Sequence, residues 1–260
     1  MGRKIKRVII DNLIYGIADF IHDFNPNLTI ITGPNGSGKT TILNTIDDLV
    51  NREHSFKPWA PMNSITVIFD NDAEVRWKKG GKVEKIGDWE EIELTEVREE
   101  FGDIEANVQS YVEDLVLSGR EDVIKLLEEY LEIYKIGGSR FLEQAVTNIS
   151  RKDDGIKIPV NRLSLGEMIL LRLFANLPHS GIYLIDTPEI SLHLAIQNDL
   201  LEKLMELEPE TQFIIATHSP SLIGNHWNDD TTVDLFANER KYTSGDKELL
   251  SSKSNKTGNS

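Results

Sequence analysis

The 260-residue sequence has no cysteine, so disulfides and thiolate metal sites are both excluded. A reducing, cytoplasmic setting is the expectation. No stretch approaches the ~18 uninterrupted apolar residues of a membrane span, and no signal peptide opens the chain, so no membrane association is expected. There is no internal repeat, and the absence of sustained heptads argues against a long coiled coil. Basic residues are also scarce: 28 Lys and Arg against 43 Asp and Glu give a formal charge of -15 at pH 7. Most of that excess lies between Glu84 and Glu132, where 17 acidic residues face 4 basic ones, a net of -13. Such a segment repels a phosphate backbone, so a broad nucleic-acid surface cannot run across it. A solvated helical face is its simplest reading, and a docking surface for a basic partner is the alternative. The opposite patch, Arg3-Lys4-Ile5-Lys6-Arg7, opens the first predicted strand, where Lys and Arg commonly guard an edge.

What is present is more specific. Gly33-Pro34-Asn35-Gly36-Ser37-Gly38-Lys39-Thr40-Thr41 follows the apolar run Leu28–Thr32 and precedes the helix-spaced Ile42, Leu43, Ile46, Leu49 and Val50. This is the strand–loop–helix context of a phosphate-binding loop. In average composition its four fixed positions would match by accident in a chain this long roughly one time in a hundred. Glycines let backbone N–H groups turn inward around phosphates, at a helix N-terminus that adds positive potential. The pattern predicts that residues 35–41 (Asn35, Gly36, Ser37, Gly38, Lys39, Thr40 and Thr41) hold a nucleotide. Lys39 is expected on the β- and γ-phosphates, and the Thr40 hydroxyl on Mg²⁺.

Around this loop the chain divides into three stretches. Residues 1–80 read as strands flanking the loop and its helix: Val8–Ile10, Leu28–Thr32, Ile65–Phe69 and Ala73–Trp77. Residues 90–150 are acidic and mostly helical in period, as at Val123, Leu126, Leu127, Tyr130 and Leu131. Residues 160–225 alternate buried strands with helices, as a parallel sheet requires. From Asn238 the Lys/Ser/Asn/Gly-rich tail is expected to be disordered, leaving residues 1–237 as one folded unit with an acidic insert at about 90–150.

The third stretch carries three further motifs. Leu163-Ser164-Leu165-Gly166-Glu167 opens an amphipathic helix, with Ser164 and Glu167 spaced as a capping box. Gly181–Asp186 is an apolar strand ending in a carboxylate suited to Mg²⁺, and Phe213–His218 is a second apolar strand ending in a histidine. The order of these motifs resembles the ATP-binding-cassette (ABC) ATPases. Asp186-Thr187-Pro188-Glu189 with Leu192-His193, and Thr217-His218-Ser219-Pro220, resemble the RecF-like, structural-maintenance-of-chromosomes-like and OLD-like branch found in bacterial DNA-repair and anti-phage systems. The resemblance covers residues 5–50 and 160–225 well and the middle hardly at all.

That resemblance implies an α/β P-loop NTPase fold of ABC type, with a mixed sheet core, an N-terminal antiparallel β subdomain and a short helical insert. It implies Mg-ATP bound between two copies paired head to tail, with Ser164 and Gly166 of one copy meeting the γ-phosphate held by the other. Asp186 and Thr40 would hold Mg²⁺, and His218 would sense the γ-phosphate. The chain departs from the pattern in several places. Thr187 stands where the family has its catalytic Glu, and a threonine is no general base at neutral pH. Either Glu189 takes that role or hydrolysis is slow; along an extended chain two residues displace Glu189 by about 6–7 Å, unless Pro188 bends the path back. Only 121 residues separate Thr41 from Leu163, which leaves no room for long coiled-coil arms, and no nuclease domain is expected after His218. Gln109 is the only candidate for the family's Q-loop glutamine between the phosphate loop and the mid-chain helices.

The resulting expectation is a slow ATP hydrolase with Lys39, Glu189 and His218 as catalytic residues and ATP and Mg²⁺ as cofactors. It would dimerise on ATP and switch a separate effector in a defence or DNA-maintenance system, with nucleic acid as a further candidate partner. The rival expectations are the ATP-binding subunit of a membrane transporter and a non-hydrolysing ATP-dependent scaffold. Leu163–Glu167 lacks the second glycine of a transporter signature, which counts against the first rival.

Overall fold

The computed structural model describes residues 2–13, 19–58, 61–90, 92–97, 101–132, 134–141, 144–159 and 162–235. The disorder expected from Asn238 onward lies outside the described residues.

A five-stranded sheet forms the centre. Its order is β13 (Thr232–Asp234), β3 (Leu28–Thr32), β12 (Thr211–Ala216), β11 (Gly181–Asp186) and β7 (Leu94–Val97), with every pairing parallel. The sequences LTIIT, GIYLID and TQFIIA are buried at every position, because layers cover the sheet on both sides. Successive side chains alternate between those layers. Tyr183, Ile185, Phe213 and Ile215 face a cluster built with helices α4 (Leu165–Ala175) and α5 (Leu194–Leu207). Ile182, Leu184, Ile214 and Ala216 face helix α1 (Lys39–Asn51) and the N-terminal strands.

Those strands form a second sheet, antiparallel throughout, in the order β2 (Phe20–Asp23), β1 (Ile5–Asp11), β4 (Ser64–Phe69), β5 (Glu74–Lys78) and β6 (Glu84–Ile86). Parallel and antiparallel strands are thus segregated into separate sheets rather than mixed in one. One buried amide joins them: Gln212 accepts from Ile5 N at 2.7 Å and donates to Ile5 O at 2.8 Å and Asn25 O at 2.9 Å. The basic patch is partly neutralised within the chain, since Lys6 pairs with Asp72 at 3.0 Å and Arg7 Nη2 donates to Asp23 at 2.6 Å.

The helical period of the insert holds for α2 (Phe101–Ser118) and α3 (Glu121–Tyr130) but not at its ends. Leu94–Val97 joins the central sheet as its edge strand, parallel to β11. Two antiparallel strands, β8 (Tyr134–Phe141) and β9 (Gln144–Arg151), pair at the other end and are extended by β10 (Lys157–Ile158). Gly137-Gly138 disfavours a helix there, and Val146, Thr147 and Ile149 are β-branched. Asp114, Glu121, Asp122, Glu129 and Glu132 are exposed, as a solvated acidic face requires. The insert is pinned by Arg120, which donates to Leu177 O at 2.6 Å and pairs with the buried Glu208 at the C-terminus of α5. No helix among the described residues is long and apolar enough to cross a membrane.

Candidate nucleotide-binding site

The loop between β3 and α1 turns through three glycines at positive φ: Gly33 (143°), Gly36 (80°) and Gly38 (95°). At Gly36 an added Cβ would meet nothing within 4 Å, so the requirement there is backbone conformation rather than space. Gly38 is the N-cap of α1 and no side chain caps that helix, which leaves its N-terminal N–H groups to an anion. The Lys39 ammonium is buried and donates to Gly33 O and Pro34 O, each at 3.0 Å. Desolvation pulls its pKa down, against the opposing charges of Asp186 and Glu189.

Asp186, at the end of β11, lies against this loop. Burial raises its carboxyl above the ordinary carboxylate range. A hydrogen bond from the Thr40 hydroxyl lowers it again, Glu189 pushes it up, and Lys39 and His218 pull it down. Among the described residues, Asp186 Oδ1, Glu189 Oε2 and Ser37 Oγ are buried without a hydrogen-bond partner. Buried polar atoms are nearly always satisfied, so three such atoms around one loop mark a site built for a polar ligand. The donors fit the two expected groups. Three left-handed glycines, a bare helix N-terminus and a buried ammonium suit a polyphosphate, and the Thr40 hydroxyl beside an orphaned Asp186 oxygen suits a hard cation such as Mg²⁺.

The chain does not run extended after Asp186. Thr187 adopts φ 47° and Ser191 φ 59°, Pro188 is buried, and Ile190 N and Leu192 N donate back to Thr187 O (3.4 Å) and Glu189 O (3.1 Å). The path therefore folds back rather than carrying Glu189 6–7 Å away. Glu189 Oε1 accepts from the His218 backbone N–H at 2.8 Å, which ties the loop after β11 to the loop after β12. Lys39, Thr40, Asp186, Glu189 and His218 are thus brought together.

Ser164 and Gly166 belong to a different group. Ser164 caps α4, accepting from Glu167 N at 3.4 Å while its own N–H donates to Glu167 at 2.5 Å, so the expected capping box is present. Gly166 is pressed against the loop after β11. Gln109 sits on an exposed face of α2, donating to Glu113 at 3.0 Å, on a helix that packs against α4 and the β8–β9 pair. The structure does not bring it to Lys39. Sequence reasoning overlooked Gln197, a polar residue on the buried stripe of α5 with Leu200, Leu201 and Leu204. That break in an otherwise apolar helical face was the available signal.

Comparison with known proteins points to the same fold class. Residues 87–224 match the family model described as "AAA domain, putative AbiEii toxin, Type IV TA system", and residues 4–112 match that of an AAA ATPase domain. The chain is similar to the Retron Ec83 probable ATPase of Escherichia coli, 28% identical over 39% of this chain and 21% of that protein. It thus spans about a fifth of that relative's length. It is also similar to the manganese transport system ATP-binding protein MntB of Listeria innocua, 27% identical over 82% of this chain and 75% of MntB. Among solved structures, an Smc head bound to the C-terminal winged-helix domain of ScpA superposes with a TM-score of 0.60 at 14% identity, covering 85% of this chain and 91% of that one. That likeness establishes an ABC/SMC-type P-loop NTPase fold.

Proposed function

Because the chain belongs to this family of AAA domains and is a P-loop ATPase in fold, we propose that residues 1–237 form one ABC-type ATPase unit. It binds Mg-ATP on Gly33–Thr41, hydrolyses it and pairs head to tail with a second copy. The paired form switches a separate effector in a bacterial defence or DNA-maintenance system. The observation that carries this reading is the convergence of Lys39, Thr40, Asp186, Glu189 and His218 on one loop, with Asp186 and Glu189 each keeping a buried, unpartnered carboxylate oxygen. The toxin–antitoxin description of the family and the retron ATPase among the relatives support the defence setting.

In this reading the Lys39 ammonium, held at the loop by two carbonyls, meets the β- and γ-phosphate oxygens. Thr40 and Asp186 hold Mg²⁺, which supplies charge neutralisation of the phosphates when bound. Glu189 is anchored through Oε1 to the His218 amide, which leaves Oε2 to accept the proton of an attacking water. His218, exposed on the neighbouring loop, reports the γ-phosphate. Ser164 and the helix dipole of α4 are offered to the γ-phosphate of the second copy. The similarity to MntB favours the transporter-subunit reading as the alternative, and co-purification with a permease would identify it.

The test is turnover. Purified protein should hydrolyse Mg-ATP, and Lys39→Ala and Glu189→Gln should each suppress turnover. Wild-type turnover indistinguishable from both variants would overturn hydrolysis and leave the scaffold reading.

A further inference from the structure

Gln197 is buried on α5, and its amide meets all of its near neighbours' needs at once. Nε2 donates to Leu192 O at 2.8 Å and to Glu189 O at 3.3 Å, and Oε1 accepts from the Ser219 hydroxyl at 2.6 Å. With two carbonyls on its nitrogen and a hydroxyl on its oxygen, the orientation of the amide is set by the network. Ser219 is fixed in turn, since its N–H donates to Thr217 Oγ1 at 2.9 Å and its oxygen accepts from Leu222 N at 3.2 Å. On the other side, Glu189 Oε1 receives the His218 N–H. The loops leaving β11 and β12 are therefore tied twice, by the Gln197 amide and by the Glu189 carboxylate. The ties close a ring through the Glu189 backbone, Gln197, Ser219, His218 and the Glu189 side chain.

A methionine would fill this position on an apolar stripe without burying a polar amide. The geometry points to another reason for glutamine: we propose that Gln197 is a positioning residue for hydrolysis. It fixes the two loops so that Glu189 keeps one oxygen on the His218 N–H and the other buried within range of Lys39 and Asp186. This inference rests on reading the site as a hydrolytic centre in which Glu189 activates water. Gln197 touches neither nucleotide nor metal and acts through Glu189.

The experiment uses Gln197→Met, which keeps the volume and removes every hydrogen bond, and Gln197→Glu, which keeps the acceptor for Ser219 but loses both donors. With Mg-ATP, each should lower kcat about tenfold or more while leaving ATP affinity within about twofold, because a misplaced catalytic group costs rate rather than binding. Without nucleotide, hydrogen exchange at the His218 backbone amide should accelerate at least about tenfold in both variants, as its carboxylate partner is released. In a Glu189→Gln background, Gln197→Met should lower kcat no further. An undiminished kcat effect in that background, an unchanged His218 amide, or failure of both variants to fold would overturn the positioning role. If Glu189→Gln alone leaves turnover unchanged, the hydrolytic reading fails, and the positioning of the loops is then decided by the His218 exchange.

Discussion

A Cβ placed on Gly166 lies 2.4 Å from the carbonyl oxygen of Ser191. The N-terminus of α4 therefore docks on the loop after β11 through a contact that only glycine permits. Since Ser191 itself sits at φ 59°, that loop has little freedom to retreat. Gly166→Ala should destabilise the protein by about 1–3 kcal/mol through overpacking, read as a lowered thermal midpoint. An unchanged midpoint would show that the loop yields. Gly166→Asp acts on folding as well as on assembly and is a poor probe of assembly alone.

Ser164 gives the cleaner probe. It is exposed, and aspartate is as good an N-cap as serine, so Ser164→Asp preserves the end of α4 while adding a carboxylate where a γ-phosphate would arrive. Light scattering should find a dimer of the wild type with a non-hydrolysable ATP analogue and a monomer with ADP. Ser164→Asp should remain monomeric with both. Equal mass in all conditions counts against the head-to-tail assembly.

Lys39→Ala removes a buried ammonium that is preorganised by two carbonyls. ATP affinity measured by calorimetry should fall at least about tenfold, the scale of a lost charge-assisted contact, with the fold retained. Equal affinity in wild type and variant would end the assignment of this loop.

Thr187 and Glu189 separate two accounts of the general base. Glu189→Gln keeps the size of the side chain but removes the base, and kcat should drop by about 10²-fold or more. Thr187→Glu should give little gain, because the Glu189 carboxylate already reaches the site by the folded-back path. A marked acceleration in Thr187→Glu together with an unchanged Glu189→Gln would assign the missing base to position 187. Thr187→Asn should raise the thermal midpoint independently, since a β-branched residue at φ 47° carries left-handed strain of about 1–2 kcal/mol that asparagine largely avoids.

The raised pKa of Asp186 has its own consequence. A carboxyl that holds its proton more tightly folded than unfolded contributes stability that is fully present below its ordinary value of 3.8. That contribution is lost as pH rises through the raised one. At neutral pH, then, ionised Asp186 destabilises the nucleotide-free protein. Asp186→Asn should raise the thermal midpoint of that form at pH 7, with the gain shrinking toward acid, while suppressing Mg-ATP turnover. A lowered midpoint would show that the carboxylate is already compensated.

The legible parts of the site are those whose chemistry is local. Glycine at three left-handed positions, Lys39 after them and the capping box at Ser164 and Glu167 each follow from residue type and spacing. The apolar runs ending in Asp186 and Thr217-His218 announced buried parallel strands for the same reason. What stayed illegible depends on contacts distant in sequence. The return of Glu189 rests on the left-handed Thr187 and on an amide 29 residues away at His218. The β8–β9 pair was hidden by an acidic, helix-rich neighbourhood, although Gly137-Gly138 already broke the helical period. Gln197 and Gln212 are polar residues inside apolar patterns, where periodicity counts them as noise.

Gln212 also bears on how a signal would leave the nucleotide. It stands near the start of β12, and His218 follows the other end, about 20 Å away at the usual rise of a strand. Between them the strand is buried at every position and hydrogen-bonded to a parallel neighbour on each side, so it behaves as a stiff strut. Its base is bolted by one amide to Ile5 and Asn25. The strut therefore joins the loop that carries His218 to the strand that carries Ile5, in the N-terminal sheet.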